Sequence, residues 1–115
     1  MTLGEKQRRF VRLVGKLIEW AYANGYELTF GDAYRTPEQA AANAAAGTGI
    51  AKSLHTQRLA IDFNLFREGV YLTTTEDHRP LGALWKSLAP DARWGGDFRP
   101  NPDGNHYSLE FEGRK

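Results

Sequence analysis

Two stretches of the sequence place imidazole and carboxylate groups at the start of strand-like segments. In the first, His55 lies seven residues before Asp62, and in the second Asp103 lies three residues before His106. Two imidazoles and one carboxylate suit Zn²⁺ with a fourth position left for water, which is the pattern of a catalytic zinc site. If the two stretches share a sheet, we expect His55, Asp62 and His106 to bind one Zn²⁺. Asp103 would then lie near the metal without being a ligand.

Hydrophobic periodicity supports a shared sheet. Residues 59–65 alternate between large apolar side chains and small or polar ones, and Asp62 is among the polar ones. A period of two places successive side chains on opposite faces of a strand. The second stretch repeats the pattern, with Tyr107 and Leu109 directed to a core and His106 to the other face. The three expected metal ligands can therefore meet on one open face.

The N-terminal half of the chain predicts a helix followed by a strand. Apolar side chains recur at spacings of three and four over residues 4–24, which predicts an amphipathic helix. Its basic residues could contact an anionic polymer such as nucleic acid or cell-wall material, but a solvated outer face is the favoured interpretation. Residues 27–34 then predict a strand in which Gly31 marks a close backbone approach.

A second helix is predicted from its capping residues. Thr36 would be the N-cap, Pro37 the first helical residue and Gln39 the partner that completes a capping box. We expect this helix to end at Gly47, and the loop after it to deliver Ser53 and the first histidine.

The C-terminal half predicts a hairpin and a third helix. Residues 70–73 would pair with 59–65, and a helix over 77–88 would be capped by Thr75. His78 is expected at the protein surface.

A tight turn is predicted where Trp94 precedes two glycines. Trp94 would anchor the core, and the glycines indicate a close backbone approach to the substrate or to the metal loop. For Asp97 we weigh two roles, an acceptor for a ligand histidine and a contact that stabilises the turn.

Two further side chains are candidates for binding substrate. Arg35 lies at a strand-to-helix corner, where a guanidinium can bind a carboxylate in bidentate fashion, although taken alone it is more often a surface residue. Ser53 could donate a hydrogen bond to the same ligand or only stabilise its loop, and the residues alone slightly favour the second role.

Length and composition place limits on the protein. With 115 residues, 41% hydrophobic and 25% charged, the chain is expected to form one soluble domain over residues 1–115. We expect an α+β fold in which a small antiparallel sheet has helices packed on one face. The net charge of +1 argues against nucleic acid as a partner, and the absence of cysteine excludes thiolate ligands. No signal peptide or membrane-spanning run is recognisable, so we expect a protein made in a bacterial host's cytoplasm that does not insert into a membrane. We also expect it to be a monomer.

The pattern formed by Ser53-x-His55-x6-Asp62, Trp94-Gly95-Gly96 and Asp103-x-x-His106 resembles that of the M15 metallopeptidases. This family includes D-alanyl-D-alanine carboxypeptidases, D,D-dipeptidases and phage endolysins that cut the L-alanyl-D-glutamate bond of peptidoglycan. The resemblance implies a hedgehog/DD-peptidase-like fold and zinc ligands at His55, Asp62 and His106. It also implies a catalytic carboxylate at Asp103 and substrate contacts from Arg35 and Ser53.

The short chain most resembles the phage endolysins, which implies a zinc-dependent peptidase that binds the peptidoglycan peptide stem after release to the wall. The alternatives are a D-alanyl-D-alanine carboxypeptidase and, in another class, a non-catalytic cell-wall-binding module. One departure from the family pattern is Arg58, where glycine is usual. Either the loop does not need a positive φ at this position, or Arg58 lines the cleft.

Overall fold

The computed structural model describes residues 1–50 and 52–115, in which five antiparallel strands form one sheet. The strand order is β1-β2-β5-β4, and β3 pairs with β2 beside β5. The strands span Tyr26–Phe30 (β1), Ala60–Arg67 (β2), Val70–Leu72 (β3), Ala92–Trp94 (β4) and His106–Leu109 (β5). The predicted α+β architecture with a small antiparallel sheet is confirmed.

In the part of the chain that the structure describes, three α-helices accompany the sheet, and two of them build the core. The helices span Leu3–Ala23 (α1), Pro37–Ala45 (α2) and Thr75–Leu88 (α3), with short 3-10 helices at Leu54–Gln57 and Gly95–Asp97. The apolar sides of α1 and α3 pack against inward-facing side chains of β2 and β5 in a single cluster. By contrast, α2 buries only Ala40, so it lies at the edge of the fold. Among the described residues, no helix is both long enough and apolar enough to cross a membrane.

Strand β2 is the centre of the sheet and follows the predicted alternation. Leu59, Ile61, Phe63 and Leu65 are all buried. Each side chain of this size contributes about 1.5–3 kcal/mol when it leaves water. A shift of one residue in register would expose this whole set, so the core fixes the register of β2.

The predicted hairpin between β2 and β3 is confirmed, and its turn explains why it is tight. Glu68 and Gly69 both have positive φ, 50° and 77°. Two consecutive left-handed residues form a type I′ turn, whose twist matches that of the flanking strands.

Two of the predicted caps are wrong in detail. In α3 the N-cap is Thr74 and not Thr75, because Thr74 and Asp77 form a reciprocal capping box one residue earlier. In α2, Thr36 accepts a hydrogen bond from the Gln39 amide as expected, but the Gln39 side chain donates to Asn43 and does not complete a capping box. The predicted loop after α2 includes Ala51, which lies outside the described residues.

The strand predicted over residues 27–34 is shorter than expected, since β1 ends at Phe30. Two more backbone hydrogen bonds continue the pairing, from Gly31 N to Asp62 O and from Asp62 N to Asp32 O, each 2.8 Å long. The predicted close approach at Gly31 is confirmed, because a Cβ there would lie 3.0 Å from Asp62 Cβ.

The prediction that His78 lies at the surface is wrong. Its side chain is only 3% exposed, and its Nδ1 lies 2.8 Å from the Tyr107 hydroxyl of β5. His78 occupies the inward side of α3 together with Leu81 and Trp85. Burial lowers the pKa of His78 to about 4, while the neighbouring Asp77 opposes this shift.

Trp94 is a core residue, as predicted, and glycines enclose its indole ring. Gly82 of α3 and Gly96 of the following turn both contact the ring so closely that a Cβ on either would overlap it. Trp94 Nε1 donates a 2.7 Å hydrogen bond to Gly104 O, which connects the core to the loop that carries Asp103.

Replacing Gly82 by alanine should destabilise the protein, because the new Cβ would overlap the Trp94 ring. We expect a loss of about 1–3 kcal/mol in the free energy of unfolding, as is typical of overpacked cores. Gly15→Ala is the matched control, since nothing lies within 4 Å of a Cβ there and the helix should gain up to about 1 kcal/mol. Urea unfolding followed by circular dichroism measures both, and equal effects would contradict the packing described.

The buried His78 should make the metal-free protein sensitive to acid. Its pKa is about 4 in the folded protein and 6.5 when unperturbed, so the unfolded state binds the proton first as the pH falls. Stability should therefore decrease between pH 6.5 and 4, by on the order of 2 kcal/mol. In urea titrations with chelator present, the free energy of unfolding of the His78→Asn variant should decrease less over this pH range. An unchanged dependence of that free energy on pH would exclude His78 as the cause.

Candidate metal centre

The pairing of β2 with β5 places Asp62 directly opposite His106. The 3-10 helix after the Ser53 loop brings His55 to the same point. His55 Nε2 lies 3.3 Å and His106 Nδ1 3.4 Å from Asp62 Oδ1. Both histidines are buried, and the three ligand atoms all lie within 4.8 Å of one another. The structure thus brings together the three predicted ligands.

The donor arrangement fits a tetrahedral zinc ion. Ligands about 2.0–2.1 Å from a tetrahedral centre are separated by roughly 3.3–3.4 Å, which matches the two nitrogen–oxygen distances. Asp62 Oδ1 is buried and has no hydrogen-bond partner among the described residues, so a cation would satisfy it. Burial would raise the pKa of the Asp62 carboxyl, but His106 and His55 more than offset this and hold the pKa at about 2. Asp62 is therefore ionised at neutral pH.

Ser53 positions the first histidine. It is buried, and its Oγ accepts a 3.2 Å hydrogen bond from His55 N at the start of the 3-10 helix. His55 O in turn accepts from Arg35 N, which joins the histidine loop to the Arg35 corner. The loop-stabilising role that the sequence slightly favours is therefore observed, and a contact from Ser53 to substrate stays a prediction.

Both explanations offered for Arg58 are wrong. Arg58 ends the 3-10 helix in the left-handed conformation, at φ 55°, so the loop does require a positive φ. For a residue other than glycine this conformation costs roughly 1–2 kcal/mol. The guanidinium lies 4.0 Å from the centre of the Tyr34 ring, a cation–π contact that offsets part of this cost. Among the described residues that line the two clefts around the metal centre, Arg58 does not occur.

Main-chain oxygens orient the two histidine rings. Ala33 O lies 3.3 Å from His55 Nδ1, and Lys115 O lies 3.3 Å from His106 Nε2. When each of these ring nitrogens carries the proton, the opposite nitrogen presents its lone pair to the metal. Sequence reasoning missed both partners, because a main-chain oxygen leaves no mark on residue type. Asp97, considered for this role, instead forms an ion pair with Lys86 of α3.

Asp103 is held at the edge of the centre by two glycine contacts. Gly95 O accepts a 2.8 Å hydrogen bond from Asp103 N, and a Cβ on Gly95 would overlap Asp103 O. On the other side Gly104 packs against Thr75 at the start of α3. The predicted close approach of the glycine turn to the metal loop is therefore confirmed. Desolvation raises the pKa of Asp103, and the charge of His106 opposes that shift.

A cleft of about 950 Å³ opens over the metal centre. Its walls include Asp103, Ser53 and Arg35, whose side chain is 14% exposed. Arg35 Nη2 donates a 2.7 Å hydrogen bond to Asp32 Oδ2, which fixes the guanidinium, while its buried Nε has no hydrogen-bond partner among the described residues. Three more cationic side chains line the same cleft and were not predicted from the sequence: Lys52, Arg114 and Lys115. The cleft therefore suits a ligand that carries carboxylates.

Comparison with protein families gives a match over residues 46–109. The matching model is that of an M15 peptidase family described as D-alanyl-D-alanine carboxypeptidase. The matched segment includes the three clustered ligands and Asp103.

A curated relative and several solved structures are also similar. The L-alanyl-D-glutamate peptidase of Listeria phage A118 is 31% identical over 104 residues, which is 85% of this chain but only 36% of that protein. The L-Ala D-Glu endopeptidase ChiX of Serratia marcescens superposes with a TM-score of 0.76 at 19% identity, over 94% of this chain and 86% of that one. The vancomycin-resistance D,D-pentapeptidase VanY in complex with Zn(II) superposes with a TM-score of 0.58 at 21% identity, over 88% of this chain and 70% of that one. The last two likenesses establish the fold.

Removing a ligand histidine should abolish tight zinc binding. We expect one zinc per chain in the native protein. The zinc affinity of His55→Ala and His106→Ala should fall by more than about 100-fold, since replacing a residue that only hydrogen-bonds to a metal ligand already costs about 10–100-fold. The control is His78→Asn, which alters the one histidine outside the cluster and should retain zinc. Competition with a chromogenic chelator measures the affinity, and zinc retained without His106 would contradict the assignment.

Proposed function

Because the chain belongs to the M15 peptidase family, we propose that it is a zinc-dependent peptidase that hydrolyses the L-alanyl-D-glutamate bond of the peptidoglycan peptide stem. The observation that carries this proposal is the cluster of His55, Asp62 and His106 beneath a cationic cleft, with Asp103 at its edge. The relative from Listeria phage and the fold neighbour from Serratia are both named for this bond, which supports the choice. The chain spans about a third of the length of that phage relative. The activity of the relative is therefore proposed for this chain and does not follow from the similarity alone.

Hydrolysis of an amide requires a strong nucleophile and a proton for the leaving amine. In the proposed mechanism His55, Asp62 and His106 would hold the zinc ion. When bound, zinc supplies Lewis-acid chemistry that makes water a competent nucleophile near neutral pH. Asp103 accepts the proton that water gives up and returns it to the amine nitrogen as the bond breaks. Desolvation, which raises the pKa of Asp103, helps the carboxyl to hold that proton between the two steps.

Arg35 would position the substrate. The D-glutamate residue on the amine side of the scissile bond carries a carboxylate, and Arg35 faces the cleft as a fixed cation beside the metal centre. A guanidinium can bind such a group through two parallel hydrogen bonds. Holding the peptide in a reactive geometry lowers the barrier by several kcal/mol in well-ordered sites.

A D-alanyl-D-alanine carboxypeptidase is the second candidate, and the description of the matching family favours it. The C-terminal carboxylate of a D-alanyl-D-alanine peptide would suit the cationic cleft as well as the carboxylate of D-glutamate does. Mass spectrometry of digested muropeptides separates the two: a new N-terminal D-glutamate supports the endopeptidase, and free D-alanine supports the carboxypeptidase.

A non-catalytic wall-binding module is disfavoured by Asp103, since a module that only binds would not need a carboxylate held beside the metal. We further propose that residues 1–115 form a single catalytic domain that is active as a monomer. The described helices and strands share one hydrophobic core, and a single chain supplies every named site residue. Its site of action would be the cell wall, and nucleic acid is not among its proposed ligands.

Asp103→Asn should retain zinc and lose activity, because the amide cannot accept a proton. We expect kcat to fall by about 10²–10⁴-fold, the usual contribution of a general base. Asp97→Asn is the matched control, since it removes a carboxylate of the neighbouring turn that forms an ion pair with Lys86 away from the metal centre. Release of N-terminal D-glutamate from purified muropeptides gives the rate, and unchanged turnover in Asp103→Asn would remove the general base from the mechanism.

A further inference from the structure

A second, smaller cleft adjoins the metal cleft. It encloses about 240 Å³ and shares Pro102, Asp103 and Asn105 with the larger one, so the two meet at the loop that carries the proposed base. Pockets that hold a complete small ligand usually enclose about 300–1,000 Å³. The smaller cleft is therefore suited to one part of a ligand that also occupies the larger cleft.

Strand β2 connects the two clefts. Asp62 and Asn64 are two residues apart on this strand, so their side chains lie on the same face of the sheet. Asn64 lines the smaller cleft and donates to Thr29 Oγ1 at 3.1 Å, while Tyr71 of β3 donates its hydroxyl to Asn64 Oδ1 at 3.4 Å. A chain of polar groups thus leads from the metal centre along β2 to Tyr71.

The smaller cleft differs from the larger one in charge. Apart from Asp103, its polar wall consists of uncharged hydroxyl and amide groups, supplied by Asn64, Tyr71, Thr73, Thr74, Thr75 and Asn105. His78 lines it as well and is neutral at pH 7. Within the described residues, Asp103 is the one carboxylate of this wall, and no lysine or arginine contributes to it. Such a wall favours a neutral ligand that has its own hydroxyl and amide groups.

Tyr71 is placed to contact such a ligand at the rim. Its ring stacks on Phe66 with 5.1 Å between centroids, yet the residue remains 54% exposed. An aromatic side chain with a free face and a hydroxyl offers both apolar contact and hydrogen bonding at little conformational cost.

We infer that the smaller cleft binds the glycan-linked end of the substrate, the N-acetylated sugar and its lactyl group, while the cationic cleft binds the carboxylate-bearing end. This inference rests on the proposed function and gives the substrate a direction across the metal centre. In an L-alanyl-D-glutamate bond the acyl side leads to the neutral sugar and the amine side to the carboxylates. The division of charge between the two clefts follows the same order.

The kinetic test uses two substrates that share the same peptide and differ in the group on the L-alanine nitrogen, N-acetylmuramyl-L-alanyl-γ-D-glutamyl-lysine and N-acetyl-L-alanyl-γ-D-glutamyl-lysine. With the zinc-loaded protein we expect kcat/KM about tenfold higher for the sugar-bearing substrate, equivalent to about 1.4 kcal/mol. Tyr71→Ala should remove most of that advantage and leave hydrolysis of the acetylated peptide and the zinc content unchanged. Val70→Ala is the matched control, because Val70 is the adjacent exposed residue of β3 and does not line the cleft.

A binding measurement keeps this inference separate from the proposed function. Isothermal titration with N-acetylmuramyl-L-alanine, which contains no scissile bond, should show binding that Tyr71→Ala weakens about tenfold and Val70→Ala does not, a difference of about 1.4 kcal/mol. Absence of binding to the native protein, or equal binding by Tyr71→Ala, would overturn the glycan subsite whatever bond the enzyme cuts. Failure of the proposed function would appear differently, as binding without release of N-terminal D-glutamate.

Discussion

The antiparallel pairing of Asp62 with His106 is the constraint on which the metal centre depends. This register sets a carboxylate oxygen and an imidazole nitrogen 3.4 Å apart, close to the separation of two ligands on one tetrahedral ion. The apolar face of β2 maintains the register, because a slip of one residue would bury Asp62 and expose the core. Stability of the core and geometry of the site therefore depend on the same strand.

The remaining parts of the site are fixed by backbone contacts that require small residues. Gly31 allows the chain to pass Asp62, Gly95 allows the Asp103 loop to approach the metal ligands, and Trp94 bonds that loop to the core through Gly104. These contacts hold Asp103 between two clefts of different charge. The fold thus separates a cationic side from a neutral side, and the proposed base lies at their boundary.

Sequence reasoning succeeded where the signal was local and failed where it depended on distant contacts. The alternation in residues 59–65 predicted β2, because a strand buried on one face must repeat every two residues. His78 was misplaced because its burial depends on Tyr107, 29 residues away. The cation–π contact that helps Arg58 adopt a positive φ is equally non-local. The N-cap of α3, by contrast, was a local error: the prediction placed it at Thr75, although the spacing of Thr74 and Asp77 indicates a capping box one residue earlier.

The most direct test of this account is the position of zinc in a crystal of the zinc-loaded protein, located by anomalous scattering at the zinc edge. We expect a single peak about 2.0–2.1 Å from His55 Nε2, His106 Nδ1 and an oxygen of Asp62, with a fourth position open to the cleft. A peak elsewhere, or one bound through the opposite nitrogens of the two histidines, would contradict it.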